Sequence, residues 1–147
     1  MKVLSFGFDG AFDNEHKASN HAQNVYAYTG THDNAPVKEW LESMDEEEMK
    51  SFYIQMDVEN TRLGIPMSEA SELSIDELCD NILEQAFASK ACVAIAPMQD
   101  ILTLGAESRT NRPSSVSGGN WSFRFTKEQF TSAALDKLLT LTKKYNR

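Results

Sequence analysis

Ala91-Cys92-Val93-Ala94-Ile95-Ala96 is an unbroken apolar run closed by Pro97, long enough for a strand and too short for a helix. With no polar position it offers no solvent face, which is what a parallel strand covered by helices requires. The residues before it supply such a helix. Ile75, Leu78, Cys79, Ile82, Leu83, Ala86 and Phe87 keep helical spacing, and Ser74 with Glu77 forms a capping box at their start. Further upstream, Asp45 and Glu48 form a second box before Met49, Phe52, Tyr53 and Met56. The acidic run from Asp45 to Glu48 has the composition of a metal site, but a helix start favoured by the helix dipole accounts for it more simply.

Two more strand-like runs precede these helices. Val3-Leu4-Ser5-Phe6-Gly7-Phe8 stops at Asp9-Gly10, and Val25-Tyr26-Ala27-Tyr28-Thr29 stops at Gly30. A polar stretch with His16 and His21 lies between them and reads as loop. Pro36 stands where a first helical residue would, with Asn34 or the turn at Ala35 as its cap. After the third strand, Gln99-Asp100 opens a short segment with Ile101, Leu102 and Leu104. A polar loop over residues 105–119 follows, then a last helix capped by Thr126 and Gln129 and carrying Phe130, Ala134, Leu135, Leu138 and Leu141.

This alternation predicts an α/β chain with parallel strands. Three strands cannot close a barrel, so they form a small open sheet or one sector of something larger. At 147 residues and 41% hydrophobic content, residues 1–147 are expected to make one unit. A net charge of -8 argues against a nucleic-acid partner, which needs clustered positive charge. The apolar runs are strand-sized and the start is quickly polar, so neither a membrane span nor a secretory signal is expected. Cys79 and Cys92 sit among apolar residues and read as core thiols of a cytoplasmic protein. The three histidines lack metal-ligand spacing, and neither a metal nor a cofactor is expected.

Ligands of parallel α/β folds meet the carboxyl ends of the strands. Three polar clusters lie there: Asp9, then Thr31-His32-Asp33-Asn34, then Gln99-Asp100 with the loop bearing Arg109, Asn111, Arg112, Ser117, Gly118 and Gly119. Each has a plain structural reading. Asp33 and Asn34 are suited to capping a helix, Arg109 and Glu107 to pairing within the loop. Trp121 and Arg124 read as packing on the last helix or as contacts for a sugar ring.

Tyr28-Thr29-Gly30-Thr31-His32-Asp33-Asn34 resembles the strand-seven motif of the 4-α-glucanotransferases, the amylomaltases or disproportionating enzymes. Ala94-Ile95-Ala96-Pro97-Met98-Gln99-Asp100-Ile101-Leu102, with Leu104-Gly105-Ala106-Glu107-Ser108-Arg109 and Asn111, is similar to their strand-eight region. Ser117-Gly118-Gly119-Asn120-Trp121-Ser122-Phe123-Arg124 is similar to the segment that follows, and Met1-Lys2-Val3-Leu4 with Phe6-Gly7-Phe8-Asp9-Gly10 resembles their strand six. The motifs follow one another in the family's order. Local departures are Ala35-Pro36 after Asn34, Ser114-Ser115 after Pro113, and the doubled Gly118-Gly119.

The resemblance implies a partial (β/α)8 barrel, its last three βα units, from an enzyme that breaks and re-forms α-1,4-glucosidic bonds with retention. It implies that Asp33 is the carboxylate that stabilises the transition state, and that His32, Asp9 and Asn111 contact the sugar. A retaining mechanism also needs a nucleophile and an acid/base carboxyl. The family's Arg-x-Asp-His-Phe and Glu-with-Asp-Leu-Gly motifs do not occur in these residues. The expectation is a C-terminal segment that binds maltooligosaccharides or α-1,4-glucans but is inactive alone. Its open sheet edges would pair with a complementary N-terminal barrel portion or with one another. The alternatives are a non-catalytic carbohydrate-binding module, and a small hydrolase pairing Asp33 with Asp9 or Asp100.

Overall fold

The computed structural model describes residues 1–66, 68–116 and 118–147. Strands β1 (Lys2–Val3), β2 (Tyr26–Tyr28) and β3 (Val93–Ile95) form one parallel sheet in the order β1-β2-β3. Between β2 and β3 run helices α1 (Val37–Glu42), α2 (Glu46–Leu63) and α3 (Ile75–Ala88); after β3 come α4 (Met98–Ile101) and α5 (Ser132–Lys144). Ala27 of β2 pairs with Lys2 on one side and Ala94 on the other.

Both expected capping boxes are present. Asp45 accepts from the N–H groups of Glu47 and Glu48 at 2.9 Å while the Glu48 side chain takes the Asp45 N–H. Ser74 and Glu77 reciprocate in the same way at α3. Gly64 ends α2 with φ of +70°, a left-handed turn that glycine adopts without steric cost. The core lies between this helical layer and the sheet: Ala27, Val37, Leu41, Phe52, Met56, Leu78, Cys79, Ile82 and Ala86 are all buried in one cluster. Burial pushes the Cys79 thiol up to about 12, so it stays protonated and inert. Two buried amides on α3 were not evident from the apolar spacing. Gln85 donates to Asn60 on α2 at 2.9 Å and to Asn81 at 3.3 Å, so the α2–α3 seam is partly polar.

Four expectations need correction. The first strand is shorter than its apolar run: after Val3 the chain turns into a 3-10 helix, Leu4–Gly7. The loop from β1 returns beneath it, with His16 Nδ1 accepting from the Val3 N–H at 2.9 Å. That return runs so close to Gly7 that a Cβ there would lie 3.0 Å from the His16 carbonyl. Secondly, β3 is not covered on both faces. Ala94 packs on the core, whereas Val93 and Ile95 are 37% and 39% exposed and Tyr26 beside Val93 is 51% exposed. One apolar face of the sheet therefore stands open, and Cys92 beside it is exposed rather than core. Thirdly, α5 starts later than its first apolar residue. Gln129 does accept from the Thr126 N–H, but the helix is capped by Thr131, leaving Phe130 outside it and exposed. Fourthly, neither Asn34 nor Ala35 caps α1. Its N-cap is Pro36, whose ring carries no hydrogen-bond acceptor, and the Val37 N–H is taken by Asp100.

Among the described residues no helix is long and apolar enough to cross a membrane.

Candidate functional site

The loops after β2 and β3 meet through a buried carboxylate. Asp100, on α4, accepts from Thr29 Oγ1 at 2.5 Å and from the Val37 N–H at 2.9 Å. Thr29 is fully buried and Asp100 is 5% exposed. Burial pushes the Asp100 carboxyl above its usual range, while the two hydrogen bonds oppose that rise. One side chain thus ties the end of β2, the start of α1 and the segment after β3 into a single block. A helix start with proline at its N-cap signals an orphan N–H needing an outside acceptor, and the acidic residue after the next strand is a candidate for it.

On this block the chain after β2 makes a tight turn. Asn34 Oδ1 accepts from the Thr31 N–H at 2.9 Å and from Thr31 Oγ1 at 2.7 Å. His32 and Asp33, at its tip, have side chains 56% and 52% exposed, with His32 Nε2 3.5 Å from Asp33 Oδ2. The other oxygen of Asp33 receives Asn111 Nδ2 at 2.6 Å. His32, Asp33 and Asn111 are therefore neighbours, drawn from the carboxyl ends of adjacent strands. Asp9 is not joined to them: the Asn14 side chain and the Ala11 N–H of its own turn engage its carboxyl and hold it below the usual range. Asp100 is likewise engaged, by Thr29 and Val37, so both acids that a two-acid hydrolase could pair with Asp33 are held by their own neighbours.

The loop carrying Asn111 is held from several sides. Gln99 Nε2 donates to the Ser108 carbonyl at 3.1 Å and to Thr110 Oγ1 at 2.9 Å. Arg109 does not pair with Glu107, whose carboxylate instead accepts from the Gly105 N–H. It reaches Glu39 on α1 at 3.2 Å, and Arg112 meets the same oxygen at 3.2 Å. Trp121 does not settle on α5: its ring is 57% exposed and its centroid lies 5.0 Å from that of His32. Its backbone has φ of +62°, a sparsely populated conformation for an aromatic residue, with its N–H bonded to the Thr110 carbonyl at 2.7 Å. Arg124 donates to the carbonyls of Trp121 and Phe123. Ser117, quoted in the last motif, lies outside the described residues.

Gly30, Thr31, His32, Asn34, Gln99 and Thr110 line a small cleft between the two loops. Its walls carry hydroxyls, amides and the His32 imidazole, a set suited to hydrogen-bonding polyhydroxylated ligands, and the one carboxylate among the lining residues is the engaged Asp100. Among the described residues no three His, Cys, Asp or Glu side chains gather as a metal site would require.

Residues 1–130 match the family model for 4-alpha-glucanotransferases. The chloroplastic/amyloplastic 4-alpha-glucanotransferase of Arabidopsis thaliana is 36% identical over 95% of this chain, and the chain spans 21% of that protein. The 4-alpha-glucanotransferase of Clostridium butyricum is 33% identical over the whole chain, which spans 27% of it. The amylomaltase from Streptococcus agalactiae, solved in complex with acarbose, superposes with a TM-score of 0.80 at 31% identity, covering 100% of this chain and 27% of the neighbour. Three parallel strands with their helices, matched to about a quarter of a barrel enzyme, make this a partial barrel. The chain belongs to the 4-alpha-glucanotransferase family, glycoside hydrolase family 77.

Proposed function

We propose that these residues form the carboxyl-terminal wall of a 4-α-glucanotransferase active site, in which Asp33 stabilises the positive charge that develops on the reacting sugar. The observation that carries this reading is the junction of His32, Asp33 and Asn111 at adjacent strand ends, with Asp33 accessible and hydrogen-bonded to Asn111. In a retaining transfer a carboxylate nucleophile attacks the anomeric carbon while a carboxylic acid about 5 Å away protonates the leaving oxygen. A third carboxylate lowers the barrier by accepting sugar hydroxyls whose bonds tighten as oxocarbenium character builds. Asp33 fits that third part. Oδ1 is anchored by Asn111, which leaves Oδ2 on the side of His32 for substrate. His32 donates a ring N–H to the same sugar, and Asn111 has amide capacity left for another hydroxyl. Asp9 serves as a sugar contact in this reading only if its turn opens, because its carboxyl is engaged locally.

The two other carboxyls of the reaction are not supplied by these 147 residues, which contain neither motif that carries them in the family. The chain by itself is then a glucan-binding wall without a covalent step. A complementary amino-terminal barrel portion is the partner that completes it, and the exposed face of Tyr26, Val93 and Ile95 is the surface it would cover. The two unpaired thiols suit a reducing compartment, and the cytoplasm is the one we favour.

Maltotriose disproportionation tests the reading. Glucose release is expected to be absent with the chain alone, to arise when the amino-terminal portion of a family member is supplied, and to disappear again with Asp33→Ala. Release by the chain alone would contradict it, as would a complemented enzyme indifferent to Asp33.

A further inference from the structure

We propose that Glu39 is a positioning residue: through Arg109 and Arg112 it clamps segment 109–112 onto α1 and so fixes Asn111 against Asp33. The proposal rests on reading His32, Asp33 and Asn111 as the glucan site, and it names what sets their geometry.

Asn111 belongs to a long loop without regular structure, and a side chain on such a loop holds a 2.6 Å bond to another loop only if its backbone is fixed. Arg109 supplies that fixation. Its Nε donates to the Asn111 carbonyl at 3.0 Å, one terminal nitrogen reaches the Asp33 carbonyl at 3.4 Å, and the other meets Glu39 Oε1 at 3.2 Å. The guanidinium therefore touches the backbones of both residues whose side chains meet at the site. Such a planar fork directs several donors at once only while its own orientation is held. Glu39 holds it. Its side chain is 15% exposed, stands in the first turn of α1, and gathers both guanidiniums on one oxygen. Arg112 adds a second arm just beyond Asn111, so the residue is bracketed by two ion pairs to the same carboxylate. The α1 start is itself anchored by Asp100, so the clamp transmits the position of the buried block to the exposed tip.

Glu39 touches neither Asp33 nor Asn111 directly; its effect passes through Arg109. The test begins on the ligand-free chain, with the exchange rate of the Asn111 side-chain amide protons measured by NMR. Glu39→Gln keeps the shape and removes the charge. Exchange is expected to accelerate by about tenfold or more, the factor matching loss of one charge-assisted hydrogen bond. Arg112→Ala, which leaves Arg109 on Glu39, should give a smaller acceleration. Unchanged exchange in both variants would overturn the clamp.

The second readout is a double-mutant cycle on maltotriose affinity. If Glu39 acts through Asn111, E39Q weakens binding in the parent and adds nothing in an Asn111→Ala background. Additive losses would overturn the proposal. Should the parent chain take up no maltotriose at all, the glucan reading falls, and the exchange measurement still decides the clamp.

Discussion

Two regions of this molecule reach order over different chain distances. In the helical layer, α2 and α3 each start on a box whose partners are three residues apart, and their apolar faces follow from helical spacing. At the strand ends, the bonds that shape the site join residues 63 to 78 positions apart: Val37 to Asp100, Arg109 to Glu39, Thr29 to Asp100, Asn111 to Asp33. The first region is stabilised mostly by removing apolar area from water. The second depends on a few buried or half-buried polar pairs, where leaving one partner unmade costs more than making it gains. The layer should thus tolerate surface change and fail through cavities, whereas the strand ends should fail through single polar deletions.

The largest expected effect is in the layer. Phe52 is 1% exposed, with ring centroids of Phe8 and Trp40 at 4.8 and 5.7 Å, so Phe52→Ala should cost about 4 kcal/mol in urea unfolding. A loss under about 1 kcal/mol would mean that this core is not close-packed. Next comes Asp100→Ala, which strands the Thr29 hydroxyl and the Val37 N–H in a buried place and should cost about 3 kcal/mol. If a loss that large appeared without any weakening of maltotriose binding, the block would be separate from the site.

Asp100 also sets a pH dependence opposite to that of most carboxylates. Burial raises its folded value above the unfolded one of 3.8, so the folded state holds the proton longer. Its contribution is then most favourable at and below the unfolded value and is lost as pH rises through the raised folded value. Asp100→Asn imitates the protonated acid: its Oδ1 accepts from the Val37 N–H, and its Nδ2 donates to Thr29 Oγ1, reversing that bond. The stability of the parent relative to that variant should therefore fall as pH rises above 3.8; a relative gain would show that Asp100 is stabilised as the anion.

Smaller effects follow at the helix starts. Ser74→Ala and Asp45→Ala each remove a cap and should cost about 1 kcal/mol, additively, because the two boxes share no partner. Smallest of all, Trp121→Ala should change stability by less than about 0.5 kcal/mol, since its ring is exposed. Its tryptophan fluorescence should nevertheless respond to maltotriose because the ring lies against His32.

The same contrast governs what could be read from the residues alone. Both capping boxes, the buried stripe of α3 and the parallel order of the strands follow from signals within a few positions of one another. Individual bounds were harder: Val3-Leu4-Ser5-Phe6-Gly7-Phe8 has strand composition, yet the return of the His16 segment against Gly7 turns most of it into a 3-10 helix. The open face of β3 could not be inferred from its apolar run, because that run is equally suited to a face covered by further strands. At the site, the motifs around Asp33 and Asn111 gave the residues, and the 2.6 Å bond between them is something only the fold supplies. Glu39 was silent in the sequence. A glutamate in a first helical turn has an ordinary explanation in the helix dipole, and nothing local links it to arginines 70 and 73 positions away.

Titrating isotopically labelled chain with maltotriose, and following the side-chain and backbone signals of His32, Asp33, Asn111 and Trp121, addresses the glucan-binding wall most directly. Saturable shifts centred on these residues, abolished by Asp33→Ala without loss of fold, are the predicted result. Shifts centred elsewhere, or a folded chain whose strand-end signals ignore the sugar, would contradict it.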